Sequence, residues 1–84
     1  MDRTAAQGSL EVLREMRQQL VTLVEDASTA VSRLGENWEG ADSSRFQHSW
    51  AGARTQCLAA EEGLESMAKA LQQQIAQQAS TSSH

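Results

Sequence analysis

The sequence predicts an all-α fold, an antiparallel two-helix hairpin that pairs with a second hairpin into a four-helix bundle dimer. Three observations carry this expectation. Apolar residues recur at alternating steps of three and four through both halves of the 84-residue chain, the mark of a seam on a packed helix. Proline is absent, Ala, Leu, Glu and Gln are frequent, and no alternating β-branched run suggests a strand. Between the halves, Gly35-Glu36-Asn37-Trp38-Glu39-Gly40-Ala41-Asp42-Ser43 contains two glycines and an asparagine, residues that accept turn conformations.

Residues 1–8 are expected to be a flexible N-terminus. Thr4-Ala5-Ala6-Gln7 fits a capping box, but Ser9 competes as the cap, and Gly8 between them costs about 1 kcal/mol inside a helix. Helix one is therefore placed at about 9–35, with a seam of Leu13, Met16, Leu20, Leu23, Ala27, Ala30 and Leu34. The turn occupies about 36–42. Helix two follows at about 43–78, because Asp42 and Ser43 suit a helix start, where side-chain oxygens meet unpaired amides and the positive dipole end. Its seam is Phe46, Trp50, Ala53, Cys57, Ala60, Leu64, Met67 and Leu71. The polar residues 79–84 have little to bury and are expected to form a disordered tail.

Facing residues of an antiparallel hairpin have numbers with a constant total. Leu34 with Phe46, Leu23 with Cys57 and Leu13 with Met67 all total 80, although any regular repeat allows some register of this kind. Leu10, Val24 and Val31 flank the first seam, while Leu58, Ala68 and Ile75 add apolar surface to helix two. An apolar face this wide suits a four-helix bundle. Val24 and Val31 thus join the seam residues as candidates for helix–helix and dimer packing.

Composition points the same way. Below roughly 70–80 residues one core seldom contributes more than ~3–5 kcal/mol. The single cysteine cannot form an internal disulfide, and Cys57 with His48 and His84 is too sparse for structural zinc. No metal or other cofactor is expected, which leaves oligomerisation as the stabilising device. The net charge of −4 and scattered basic residues argue against nucleic acid and anionic membrane surfaces. No apolar run is long enough for stable membrane insertion. The first residues lack a signal-peptide layout, which by ordinary rules implies the cytosol.

No enzyme constellation is present: there is no oriented cysteine–histidine pair and no phosphate loop. Glu61, Glu62 and Glu65 read as a solvated helix face that could steer a basic partner. Cys57 reads as a small thiol on the seam, with a cross-subunit disulfide as the lesser alternative, and His48 as solvent-facing. Phe46 and Trp50 read as packing residues. Trp38 closes the open end of the hairpin, serves recognition, or both, and Gly40 answers a backbone requirement.

The segment Asn37-Trp38-Glu39-Gly40-Ala41-Asp42-Ser43-Ser44-Arg45-Phe46-Gln47-His48-Ser49-Trp50 resembles the WXG family, the early-secreted-antigen-like helical hairpins exported by type VII secretion systems. It carries W-x-G at the midpoint of a proline-free hairpin, with Phe46 and Trp50 following, and the resemblance extends over about residues 9–78. It implies a four-helix homo- or heterodimer, export without a cleaved signal peptide after folding in the cytoplasm, and recognition by a secretion ATPase. It also implies a Tyr-x-x-x-Asp/Glu export element on at least one member of the pair, beside the partner's W-x-G turn. The chain has no tyrosine, so a heterodimer whose partner carries the element is favoured. The other readings are a chaperone-like or targeting partner of a larger effector, and an intracellular helical dimerisation module.

Overall fold

A computed structural model describes residues 1–82 as two long helices, α1 (Arg3–Glu36) and α2 (Ala41–Ser82), which pack against each other as a hairpin. The molecule measures 67 × 16 × 12 Å. This is the shape expected when helices rising 1.5 Å per residue lie side by side with nothing above or below them.

Both helices are longer than their sequence patterns predict. The first begins at Arg3 rather than near Ser9, because Asp2 is its cap: the Asp2 carboxylate accepts a hydrogen bond from the Ala5 amide at 3.0 Å. That contact satisfies one of the orphan donors of the first turn and lets the helix run through Gly8. The second continues through Ser82 rather than ending at 78. The remainder of the expected tail, residues 83–84 with His84, lies outside the described residues.

The reversal occupies residues 37–40. Asn37 donates its amide to the Leu34 carbonyl at 3.1 Å, closing α1. Gly40 has φ +108°, and its carbonyl accepts the first α2 bond, from the Ser44 amide at 3.1 Å. A residue with a Cβ is strained at that φ. Nothing lies within 4 Å of where the Cβ would sit, so the requirement is one of backbone conformation and not of space. Gly40→Ala is accordingly expected to destabilise the hairpin by about 1–3 kcal/mol while leaving the side-chain contacts of both helices intact. Urea unfolding monitored by circular dichroism measures this, and an unchanged midpoint would remove the conformational argument.

The hairpin interface lies along a different stripe from the seam that periodicity selects. Leu10, Val24, Ala68 and Ile75 form its buried apolar residues, with Ser43 buried near the turn. Leu10, Ala68 and Ile75 make one cluster, flanked by Ala6, Leu13 and Leu71. Leu20, Ala27, Val31, Trp50, Cys57 and Leu64 are half-buried, whereas Met16, Leu23, Ala30, Leu34, Phe46, Ala53, Ala60 and Met67 are exposed. Among the described residues no large side chain is sealed completely. The interior is thin.

Polar groups tie the helices together in this arrangement. Arg17 Nε lies 3.5 Å from Glu65 Oε2, and Arg14 donates to Gln72 Oε1 at 3.0 Å. These edge contacts accompany an inward stripe different from the one that periodicity selects. The physical reason is that each helix carries two adjacent apolar stripes. Periodicity marks their combined width, but it does not fix the roll of each helix about its own axis. The observed roll points Leu10, Val24 and Ile75 inward and leaves the stems of Arg17 and Glu65 at the interface edge, where long side chains cover apolar surface with their heads still wet.

Candidate interaction surface

Two features of this fold stand open to a partner: the tip and one broad side. At the tip, the Trp38 and Phe46 rings meet with centroids 5.6 Å apart and planes inclined by 47°, a tilted contact that aromatic pairs favour. Trp38 is half-buried and Phe46 is 39% exposed. Trp38 therefore packs across the turn onto α2 and still presents part of its ring to solvent. Gly35 brings α1 close to α2 just below; a Cβ there would stand 3.2 Å from Gln47 Nε2. The exposed Asp42–Arg45 pair caps the tip with opposite charges but adds little stability.

The two broad sides of the hairpin differ. One carries a shallow groove lined by Val21, Glu25, Ser28, Arg54, Leu58 and Glu61, continuing past Arg17, Glu62 and Glu65. It is charged along its length. Glu65 has Arg17 on one side and Lys69, at 3.8 Å, on the other. The Arg17 Nε atom is shielded from water without a hydrogen-bond partner, so the ion pair stabilises the hairpin only modestly.

The opposite side is more apolar, with exposed Leu23 bordered by Glu15, Gln19 and Asp26 in a shallow depression on α1. At 100° per residue, exposed Leu23 and Ala30 on α1 stand about 100° from inward Val24 and Val31, and exposed Met67 on α2 about 100° from Ala68; Met16, Phe46, Ala53 and Ala60 lie on the same flanks. The displacement runs against the direction of chain progression on both helices. Because the helices are antiparallel, both stripes turn to the same side, the one away from the charged groove. Leu23 is 64%, Met67 58% and Met16 48% exposed. Half-buried Leu13, Leu20, Ala27, Trp50, Cys57, Leu64 and Leu71 form the floor between the two stripes.

The candidate packing residues thus divide. Val24 and Val31 belong with the inward stripe; Leu13, Leu20, Ala27, Trp50, Cys57, Leu64 and Leu71 serve both hairpin and open side; Met16, Leu23, Leu34, Phe46 and Met67 are left for whatever covers the open side. Trp38 and Gly40 stand together at the tip as expected. Sequence reasoning missed Arg14, Arg17, Glu65 and Gln72 as cross-helix ties. The signal was present, since Arg17 falls at the seven-residue spacing of Leu10, Val24 and Val31, where a charge breaks an apolar stripe. Cys57 is a free, half-buried thiol and His48 is exposed. Among the described residues no cluster of His, Cys, Asp or Glu could hold a metal ion, and no helix is long and apolar enough to cross a membrane.

Fold and surface define a class: an α-helical hairpin with one apolar side left open and an aromatic pair at its tip. No family model, curated protein or solved structure matches the chain.

Proposed function

We propose that this chain is a non-enzymatic WXG-type protein, exported by a type VII secretion system as a folded helical dimer and acting through protein–protein contacts. The observation that supports it best is the coincidence of Trp38 and Gly40 at the tip of a hairpin whose neighbouring broad side is apolar and unpaired. A side of this kind is what a four-helix bundle buries. In this reading the open side pairs with a second hairpin, and the Trp38 tip is offered to the secretion ATPase. The folded pair leaves the cytoplasm without a cleaved signal peptide. In this reading the partner hairpin carries the Tyr-x-x-x-Asp/Glu element, since these 84 residues contain no tyrosine.

The test is immunodetection of the intact chain in culture medium of the native host, with and without an active secretion ATPase. Appearance in the medium only when the ATPase functions is the expected result; retention in the cells under both conditions overturns the export reading. The thin interior gives weight to a second reading, a chaperone-like or targeting partner that escorts a larger effector. Its signature is a chain that stays soluble only when co-expressed with that effector. A folded chain that is never exported and has no such client would instead be an intracellular dimerisation module.

A further inference from the structure

The hairpin is held at both ends and loose in between. Toward the chain termini lie the Leu10–Ala68–Ile75 cluster and the cross-helix ties from Arg14 to Gln72 and from Arg17 to Glu65. Toward the turn, Trp38 rests on Phe46, Ser43 is buried, and Gly35 brings α1 within reach of the Gln47 side chain. Between these two units, residues 51–56 of α2 are all exposed. Six consecutive residues at 100° each turn through more than a full circle. Over this stretch, therefore, no direction around α2 carries even a half-buried side chain. No other exposed run in α2 exceeds three residues among those described.

Both helices are also weakened internally at this level. The Thr29 hydroxyl donates to the Glu25 carbonyl at 3.1 Å, and the Thr55 hydroxyl donates to the Ala51 carbonyl at 3.0 Å. A hydroxyl bonded to the carbonyl four residues earlier competes with the backbone amide for that oxygen, which slightly destabilises a helix and favours bending. Gly52 lies in the same turn of α2, with nothing within 4 Å of where its Cβ would sit, and costs about 1 kcal/mol relative to alanine. The two weakened turns stand opposite each other, because Glu25, Ser28 and Thr29 of α1 line one cleft with Arg54 of α2. Val24, beside this cleft, is the last buried apolar residue of α1 before the turn.

We propose that this level is a joint, about which the tip (residues 31–50) swings as a unit against the shaft formed by residues 3–24 and 57–82. Bending one helix of a packed pair would pull it away from its neighbour. Two compliant turns that face each other let both helices bend together while the contacts on either side are kept. A hinge needs only a few residues that absorb the change in φ and ψ, and the segments 25–29 and 51–55 supply them. The joint lets Trp38 change its direction relative to the broad sides of the shaft without unfolding either end. It is a property of this chain's own motion and stands apart from export.

The experiment is solution NMR on the whole chain in a weakly aligning medium. Hinge motions take microseconds to milliseconds, and residual dipolar couplings of the backbone amides average over them. In the wild type, the couplings of residues 31–50 are expected to report weaker alignment than those of the shaft, with no single rigid orientation fitting both. The combined variant Thr29→Ala, Gly52→Ala, Thr55→Ala removes both hydroxyl bonds and places the strongest helix former at three exposed positions. Its helical circular dichroism should be kept or raised, and its two alignments are expected to become equal. Gly63→Ala makes the same gain in helix propensity within the shaft, where nothing lies within 4 Å of the added Cβ, and should leave the difference as it is. A wild type whose tip and shaft share one alignment overturns the joint. So does a triple variant that retains the difference, or a Gly63→Ala chain that loses it. Each of these readings is the same whether or not the chain is exported.

Discussion

Ile75→Ala is expected to destabilise the hairpin by about 2–4 kcal/mol, while Met67→Ala, on the same helix, costs less than about 0.5 kcal/mol when the chain is unpaired. Ile75 is 7% exposed and sits in the cluster with Leu10 and Ala68, so its truncation leaves a cavity that the rigid pair of helices closes only in part. Met67 is 58% exposed and gives up contacts with water rather than with protein. The first loss is large against the ~3–5 kcal/mol that a core of this size can contribute, so Ile75→Ala brings the isolated chain close to unfolding at room temperature. Leu10→Ala should not add fully to it, since neighbours in one cluster share contacts. Urea titrations at several protein concentrations make the comparison. At low concentration only Ile75→Ala shifts the midpoint; under the proposed pairing, Met67→Ala also shifts it at high concentration, because a second hairpin then covers the open side. Equal midpoint shifts for the two variants at low concentration would mean that the helices are rolled the other way.

Trp38→Ala is expected to abolish export while the hairpin and its pairing persist. The ring lies at the tip, beyond the Leu10–Ala68–Ile75 cluster, and its ring partner is Phe46 at 5.6 Å. Losing a half-buried aromatic at the end of a hairpin costs part of the ~3–5 kcal/mol that a fully buried one does. The helical signal should therefore survive with a lowered melting temperature, and the mass in solution should not change. Under the proposed function, Trp38 is the side chain that the secretion ATPase reads, so the variant should accumulate in the cells and be missing from the medium. Trp38→Phe, which keeps an aromatic ring against Phe46, separates the two roles: it restores the melting temperature in large part, and export only if ring packing is all that the tip contributes. Export of a stably folded Trp38→Ala chain at the wild-type level would remove the recognition role from Trp38.

The helical hairpin itself was legible in the residues, because 3-4 periodicity, the lack of proline and one glycine-bearing interruption are local signals that act before any tertiary contact forms. The turn was equally legible. Gly40 takes the positive φ that its position suggested, and Trp38 and Phe46 meet across it. The helix ends were less so. The decisive contact at the start of α1, Asp2 to the Ala5 amide, was outweighed in the sequence by Gly8 and the competing Ser9, although a single glycine penalty is smaller than the gain from continuing a long helix.

The tertiary structure alone decided which apolar stripe turns inward. Both stripes satisfy the helical period: Leu13, Met16, Leu20 and Leu23 run beside Leu10, Leu13, Leu20 and Val24, sharing members. A hydrophobic pattern along one chain carries no information about roll. Roll follows from how closely the two backbones approach and which side chains share the space between them; the pairs Arg17 to Glu65 and Arg14 to Gln72 bridge the edges that result. These pairs are 48 and 58 residues apart in the chain, and nothing local connects them. The sequence by itself determined two helices, one reversal and a broad apolar face on each helix. Folding assigned Leu10, Val24, Ala68 and Ile75 to the interior and left Met16, Leu23, Phe46 and Met67 outside, because only side chains brought together across the hairpin can compete for the space between its helices.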